Sequence, residues 1–167
     1  VTGERAHPKA WELTGAACLG FSGGKETGSP RAGRAETIRE AGRNLFQAEF
    51  PASAPDEHPA AILRFKTDGI AENYDYLTLT IRSRDSGVVE AKMPREDWSS
   101  SHLCHLTLKG DGKPHTFRLR LSKEMKTNNR PFSAARLRGE LWFFYRSPGV
   151  RDNRPPLRFA IERAVLE

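Results

Sequence analysis

The residues with the greatest capacity for chemistry are cations that alternate with apolar partners. Arg64, Lys66, Arg82, Arg84, Arg118, Arg120, Arg146 and Arg158 each fall on the polar side of a segment whose other side is apolar. A guanidinium is a planar fork of donors that suits carboxylate, sulfate or phosphate, and it serves protein interfaces equally well. Trp142 and Phe144 share a side with Arg146, adding a flat apolar surface for a sugar ring or an anchor for a protein partner. The candidate binding face is therefore Arg82, Arg84, Arg118, Arg120, Trp142, Phe144 and Arg146.

Other constellations carry less. Gly20-Phe21-Ser22-Gly23-Gly24-Lys25-Glu26 has the glycines and lysine of a phosphate loop, but Glu26 stands where a metal-binding hydroxyl is needed and no helix pattern follows. On a strand His102 and Cys104 share one face and His105 the other, so the three do not converge on a tetrahedral metal. Asp68, Glu72, Asp75 and Asp97 lie in turn-like stretches and read as turn formers or as donors to a structural calcium. No nucleophile elbow is present. His115, Tyr145 and Arg146 are the residue types a jelly-roll polysaccharide lyase uses, without the rest of its motifs. No run interleaves aromatic and basic residues as an RNA-binding sheet requires. The expectation is a chain without catalytic residues, metal, cofactor or nucleic-acid partner.

Composition agrees with a thin two-layer fold. The chain has 167 residues, 37% apolar and 29% charged, with net charge +6. That length suits one domain with a real core. A positive balance fits an acidic partner, an anionic glycan or simply a basic compartment. No apolar run approaches the roughly 20 residues of a membrane span, so the chain is expected to be soluble or peripheral. Cys18 and Cys104 are too few for a disulfide scaffold, and Asn-x-Ser/Thr sequons are absent. The chain opens at Val1 with no visible signal peptide, as expected of a processed product or of a domain cut from a longer chain.

The elements that must position these residues are strands. Residues 1–43 are punctuated by Gly20, Gly23, Gly24, Gly28, Pro30 and Gly33, and read as an extended Gly-rich segment with short strands. From residue 44 the pattern changes. Apolar residues alternate with polar ones over 45–50, 61–66, 76–84, 88–93, 103–108, 115–121, 137–145 and 157–166, most strictly at Leu77, Leu79 and Ile81. Residues 137–145 are the most apolar and should be central. Gly110-Asp111-Gly112-Lys113-Pro114 predicts a hairpin loop between its flanking strands. Only residues 123–136 have room for a helical turn. Eight or so strands at this spacing predict an all-β fold, an antiparallel β-sandwich over 44–167.

Three stretches carry a resemblance. Tyr74-Asp75-Tyr76-Leu77 leading to Arg82, the strand from Phe117 to Met125, and the pair of strands ending at Tyr145 and Val165 resemble the jelly-roll domains of the galactose-binding-like type. Among these they are most similar to the complex I intermediate-associated protein family. The resemblance implies a non-catalytic accessory or assembly subunit of the mitochondrial respiratory chain, acting through contacts with other protein subunits. Carbohydrate-binding modules share the strand order and imply the alternative, a secreted module for a polysaccharide, an anionic one in particular. A jelly-roll lyase is the third reading.

Overall fold

Strand formation follows the alternation closely, and the strands then sort into two sheets. In the computed structural model the described residues are 8–10, 13–22, 25–26, 32–65, 75–94, 100–120, 139–145 and 154–167. The strands are β1 (Lys9–Ala10), β2 (Leu13–Leu19), β3 (Phe21–Ser22), β4 (Lys25–Glu26), β5 (Arg34–Glu40), β6 (Arg43–Phe50) and β7 (Ala60–Phe65). They continue with β8 (Tyr76–Ser83), β9 (Ser86–Pro94), β10 (Ser100–Lys109), β11 (Pro114–Arg120), β12 (Glu140–Phe144) and β13 (Leu157–Leu166). The first sheet runs β11-β8-β13-β6-β5, with β1 on β13 as well, and the second runs β10-β9-β12-β7-β2. Every pairing is antiparallel. The fold is an all-β antiparallel sandwich, as the alternation predicts. The stretch expected to hold a helical turn lies outside the described residues.

From β6 onward successive strands change sheet at every step except β9 to β10. This winding corrects the expected hairpin at residues 110–114. β10 pairs with β9, β11 pairs with β8, and the loop between them crosses from one sheet to the other. The turn chemistry is nevertheless the expected kind. Gly110 and Gly112 have φ of 67° and 71°, and the Lys113 amide donates to Asp111 Oδ1 at 2.9 Å. The loop stacks on the neighbouring corner between β8 and β9, where Gly110 N donates to Ser83 Oγ and Gly112 N to the Ser83 carbonyl, both at 3.0 Å.

Residues before 44 also differ from the expectation of a segment set apart from the sandwich. β2 forms an edge of the second sheet on β7, and β5 forms an edge of the first on β6. The β5–β6 hairpin closes through Ala41 and Gly42, both at positive φ (50° and 77°), the two-residue turn whose twist suits a hairpin. Within the would-be phosphate loop β3 pairs antiparallel with β4.

Between the sheets an aromatic cluster joins the two layers. Phe159 of β13 meets Phe46 and Phe50 of β6 at 6.4 and 5.6 Å, and crosses to Phe143 of β12 edge-on at 5.9 Å. Phe50 stacks on Tyr145 at 5.5 Å. Such pairs contribute about 0.5–1.5 kcal/mol each beyond the area they bury. β12 is central in its sheet, as the apolar run over residues 137–145 predicts, and β13 is central in the other.

Candidate functional site

Inward positions of the second sheet are Val89, Ala91 and Met93 of β9, Leu141 and Phe143 of β12, and Ala61, Leu63 and Phe65 of β7. Alternation then turns Glu90 and Lys92, Glu140, Trp142 and Phe144, and Ala60, Ile62 and Arg64 to the outer face. The register sets Trp142 between Lys92 and Ile62, and Phe144 between Glu90 and Ala60. The indole and phenyl rings stack at 5.8 Å with 29° between their planes, and both side chains are half-buried. They form one apolar platform.

Charge frames the platform. Lys92 Nζ lies 5.3 Å from the centre of the Phe144 ring and 3.1 Å from Glu90 Oε1. His105 of β10 approaches the other Glu90 oxygen at 3.7 Å. On the β7 side Arg64 stands 4.0 Å from Glu140. The Glu90 side chain is only 6% exposed. A carboxylate held that dry on the outer side of a sheet is weak evidence for stability, because desolvation offsets the Coulomb gain. It suits a site, where oriented acceptors and donors meet a ligand's hydroxyls. The Trp142 indole Nε1 is buried and makes no hydrogen bond.

The arginines expected to join these rings are elsewhere. Arg82 and Arg84 of the β8 end and Arg118 and Arg120 of β11 lie on the outer face of the first sheet, on the far side of the core from Trp142 and Phe144. Arg146 lies outside the described residues, as does Lys66. The expected single face is thus two faces, because alternation assigns a side within each strand but not the sheet that the strand joins. Arg118 is also engaged within the protein, with its guanidinium 3.8 Å above the Tyr76 ring and 3.4 Å from Glu167.

The first sheet carries a groove of about 400 Å³. Ala160 of β13 lies on its floor, with Ile38 and Leu45 from the β5–β6 hairpin and Arg82, Arg84 and Arg158 among its lining. Arg82 is paired to Glu162 at 2.8 Å, and Arg158 grips both Asp85 oxygens at 3.0 and 3.3 Å. The hydrogen bonds from the Arg158 side chain hold the Asp85 carboxyl below the usual carboxylate range. Sequence reasoning listed Arg158 among the alternating cations but missed Ile38, Leu45 and Gln47, whose β5–β6 hairpin it did not see; the Ala41-Gly42 turn was its one available signal.

Remaining sequence-level candidates come apart. Tyr145 is buried between the sheets and donates its hydroxyl to the Pro155 carbonyl, while His115 sits on β11 of the first sheet. The lyase trio is therefore not assembled among the described residues. Burial pushes the Tyr145 phenol above its ordinary value, a poor setting for a surface base. A bulge between His102 and Cys104 breaks the expected parity of β10. Among the described residues no group of His, Cys, Asp and Glu has the geometry to hold a metal. Cys18 of β2 and Cys104 of β10 lie on strands at opposite edges of one sheet and are not joined to each other by a disulfide. Of the acidic turn residues only Asp75 is described, and no helix there is long and apolar enough to cross a membrane.

No protein-family model matches the chain, and no curated protein sequence matches it. Solved structures do. The family 11 carbohydrate-binding module of a cellulosomal cellulase of Clostridium thermocellum aligns over 99% of this chain and 89% of its own, at TM-score 0.54 and 9% identity. A family 29 carbohydrate-binding module aligns over 97% and 92% at TM-score 0.51 and 12% identity. A family 28 module specific for non-crystalline cellulose aligns over 80% and 79% at TM-score 0.53 and 12% identity. At these identities the likeness is one of fold, a β-sandwich shared with carbohydrate-binding modules. The complex I intermediate-associated family receives no support from any of the comparisons.

Proposed function

We propose that this chain is a non-catalytic glycan-binding module whose ligand lies across Trp142 and Phe144 on the outer face of the second sheet. The observation that carries the reading is the stacked pair of rings at 5.8 Å, set among Glu90, Lys92, His105 and Arg64. Pyranose rings present a C–H face that packs on flat aromatic surface, and a rim of hydroxyls that needs charged donors and acceptors at the side. The fold shared with carbohydrate-binding modules supports this over a respiratory-chain subunit. Cellulose and β-glucans are met outside the cell, so the reading also favours a location there over the mitochondrion.

One of the structures with this fold was solved with a β-1,3-1,4-mixed-linked tetrasaccharide, which makes soluble β-glucans the first ligands to try. The test is native electrophoresis through gels containing mixed-linkage β-glucan, hydroxyethyl cellulose, galactomannan or polygalacturonate. Retardation by a neutral glycan, lost in Trp142→Ala, is the expected result. Migration unaffected by every neutral glycan, or retardation by a neutral glycan that survives loss of both rings, overturns the reading.

A further inference from the structure

Arg84 differs from its neighbours in the groove of the first sheet. Arg82 is committed to Glu162 and Arg158 to Asp85, whereas Arg84 has no ion pair among the described residues. Its position is fixed by the backbone, since its amide donates to the Arg158 carbonyl at 2.9 Å. The Asp85–Arg158 clamp beside it also ties the Arg158 amide to Asp85 Oδ2 at 2.9 Å, so the two chain segments at this end of the groove are locked together. One guanidinium is left over, on a rigid support, facing a depression.

The rest of the groove has a different character. Across the floor from Arg84 stand Ile38 and Leu45, and Leu45 is 8% exposed. Gln47 lies between these and Ala160, and Glu40 closes the far end at the β5–β6 turn. The groove therefore reads in order as cation, small floor, apolar wall and carboxylate. Its volume of about 400 Å³ lies within the small-ligand range. Four strands cross beneath it, a span of roughly 14 Å at about 4.8 Å per strand step.

We infer that this groove is a second binding site, on the opposite face from the aromatic platform, for a carboxylate-bearing sugar. The carboxylate takes the fork of Arg84, where Arg82 and Arg158 are already neutralised and so do not compete for it. The C–H face of the ring packs on Leu45 and Ile38, and Gln47 and Glu40 take the hydroxyls. A plain inorganic anion would leave the apolar wall unused, and a neutral sugar would leave Arg84 unpaired. The site stands independently of the glycan reading of the Trp142 platform.

The test titrates the full chain with trigalacturonate and, in parallel, with a neutral trisaccharide and inorganic sulfate, following amide shifts by NMR and affinity by calorimetry. Expected are shifts at Ala160, Gln47 and Arg84 on adding the uronate, affinity that falls with salt, and at least a tenfold loss in Arg84→Gln. Trp142→Ala leaves this binding unchanged. Leu45→Asn, on the wall and outside the inter-sheet core, weakens it without altering the response to sulfate. Equal binding of the neutral sugar, full displacement by equimolar sulfate, or shifts confined to β9 and β12 overturns the proposal. So does an unchanged affinity in Arg84→Gln whose amide spectrum shows it folded.

Discussion

Replacing Gly110 by alanine tests how the two corner loops hold the sheets together, and Gly112→Ala is its internal control. Both glycines sit at positive φ, 67° and 71°. An L-residue there costs about 1–2 kcal/mol, partly offset by about 0.4–1 kcal/mol from a stiffer unfolded chain. A Cβ on Gly112 meets nothing within 4 Å, so Gly112→Ala should cost only that net term, about 1 kcal/mol. A Cβ on Gly110 would lie 2.6 Å from both the Asp85 carbonyl carbon and the Ser86 nitrogen. That is about 1 Å inside contact distance, against backbone that has no rotamer to change. Separating the loops also strains the Gly110 and Gly112 hydrogen bonds to Ser83, at about 1 kcal/mol each. With an overpacking cost of about 1–3 kcal/mol, Gly110→Ala should lose about 4–6 kcal/mol. Urea unfolding followed by tryptophan fluorescence measures both variants. At about 2–4 °C per kcal/mol, the melting temperatures should fall by about 3 °C for Gly112→Ala and by about 10 °C or more for Gly110→Ala. Equal losses in the two variants would refute the packing of one corner on the other.

Trp142→Phe keeps a flat ring and removes an indole N–H that has no acceptor, so thermal unfolding should show little loss while glycan binding survives in part. Trp142→Ala should weaken glycan binding by at least about 2 kcal/mol, about thirtyfold by calorimetry. Phe143→Ala removes a fully buried ring that meets Phe159 across the sandwich, and should cost about 3–5 kcal/mol in urea. Asp85 has a lowered folded-state value, so its pairing stabilises the fold above the unfolded carboxylate value of about 3.9 and is lost as pH falls through the folded one. Asp85→Asn should thus be less stable than the wild type at pH 7, by under about 1 kcal/mol for so exposed a pair, and the two should converge once the pH falls below the lowered folded-state value. Burial pushes the Cys18 thiol up to about 12, so a disulfide reagent at pH 8 should modify it only on unfolding, as a thiol-release assay would show.

The sandwich was legible because period-two alternation is a local property. Leu77, Leu79 and Ile81 face inward because each is apolar and its neighbours are not, and no distant residue is needed to see it. The central place of β12 was legible from its apolar content, whereas that of β13 was not. Edge strand β5 was hidden, because a strand with one neighbour can be as polar as Arg34, Glu36, Arg39 and Glu40 make it and still be held by its pairing.

By itself the sequence determined which side of each strand is wet: Arg82 and Arg158 outward, Trp142 and Phe144 outward, Phe143 and Phe159 inward. Only the tertiary structure decided which outward sides adjoin. Gly110 and Gly112 look like a hairpin turn in sequence, yet they carry the chain across the core, because a turn's backbone angles say nothing about the sheet its flanking strands will join. Crossings of this kind separate the aromatic rings of β12 from the arginines of β8 and β11. They turn a single expected face into a platform on one sheet and a groove on the other.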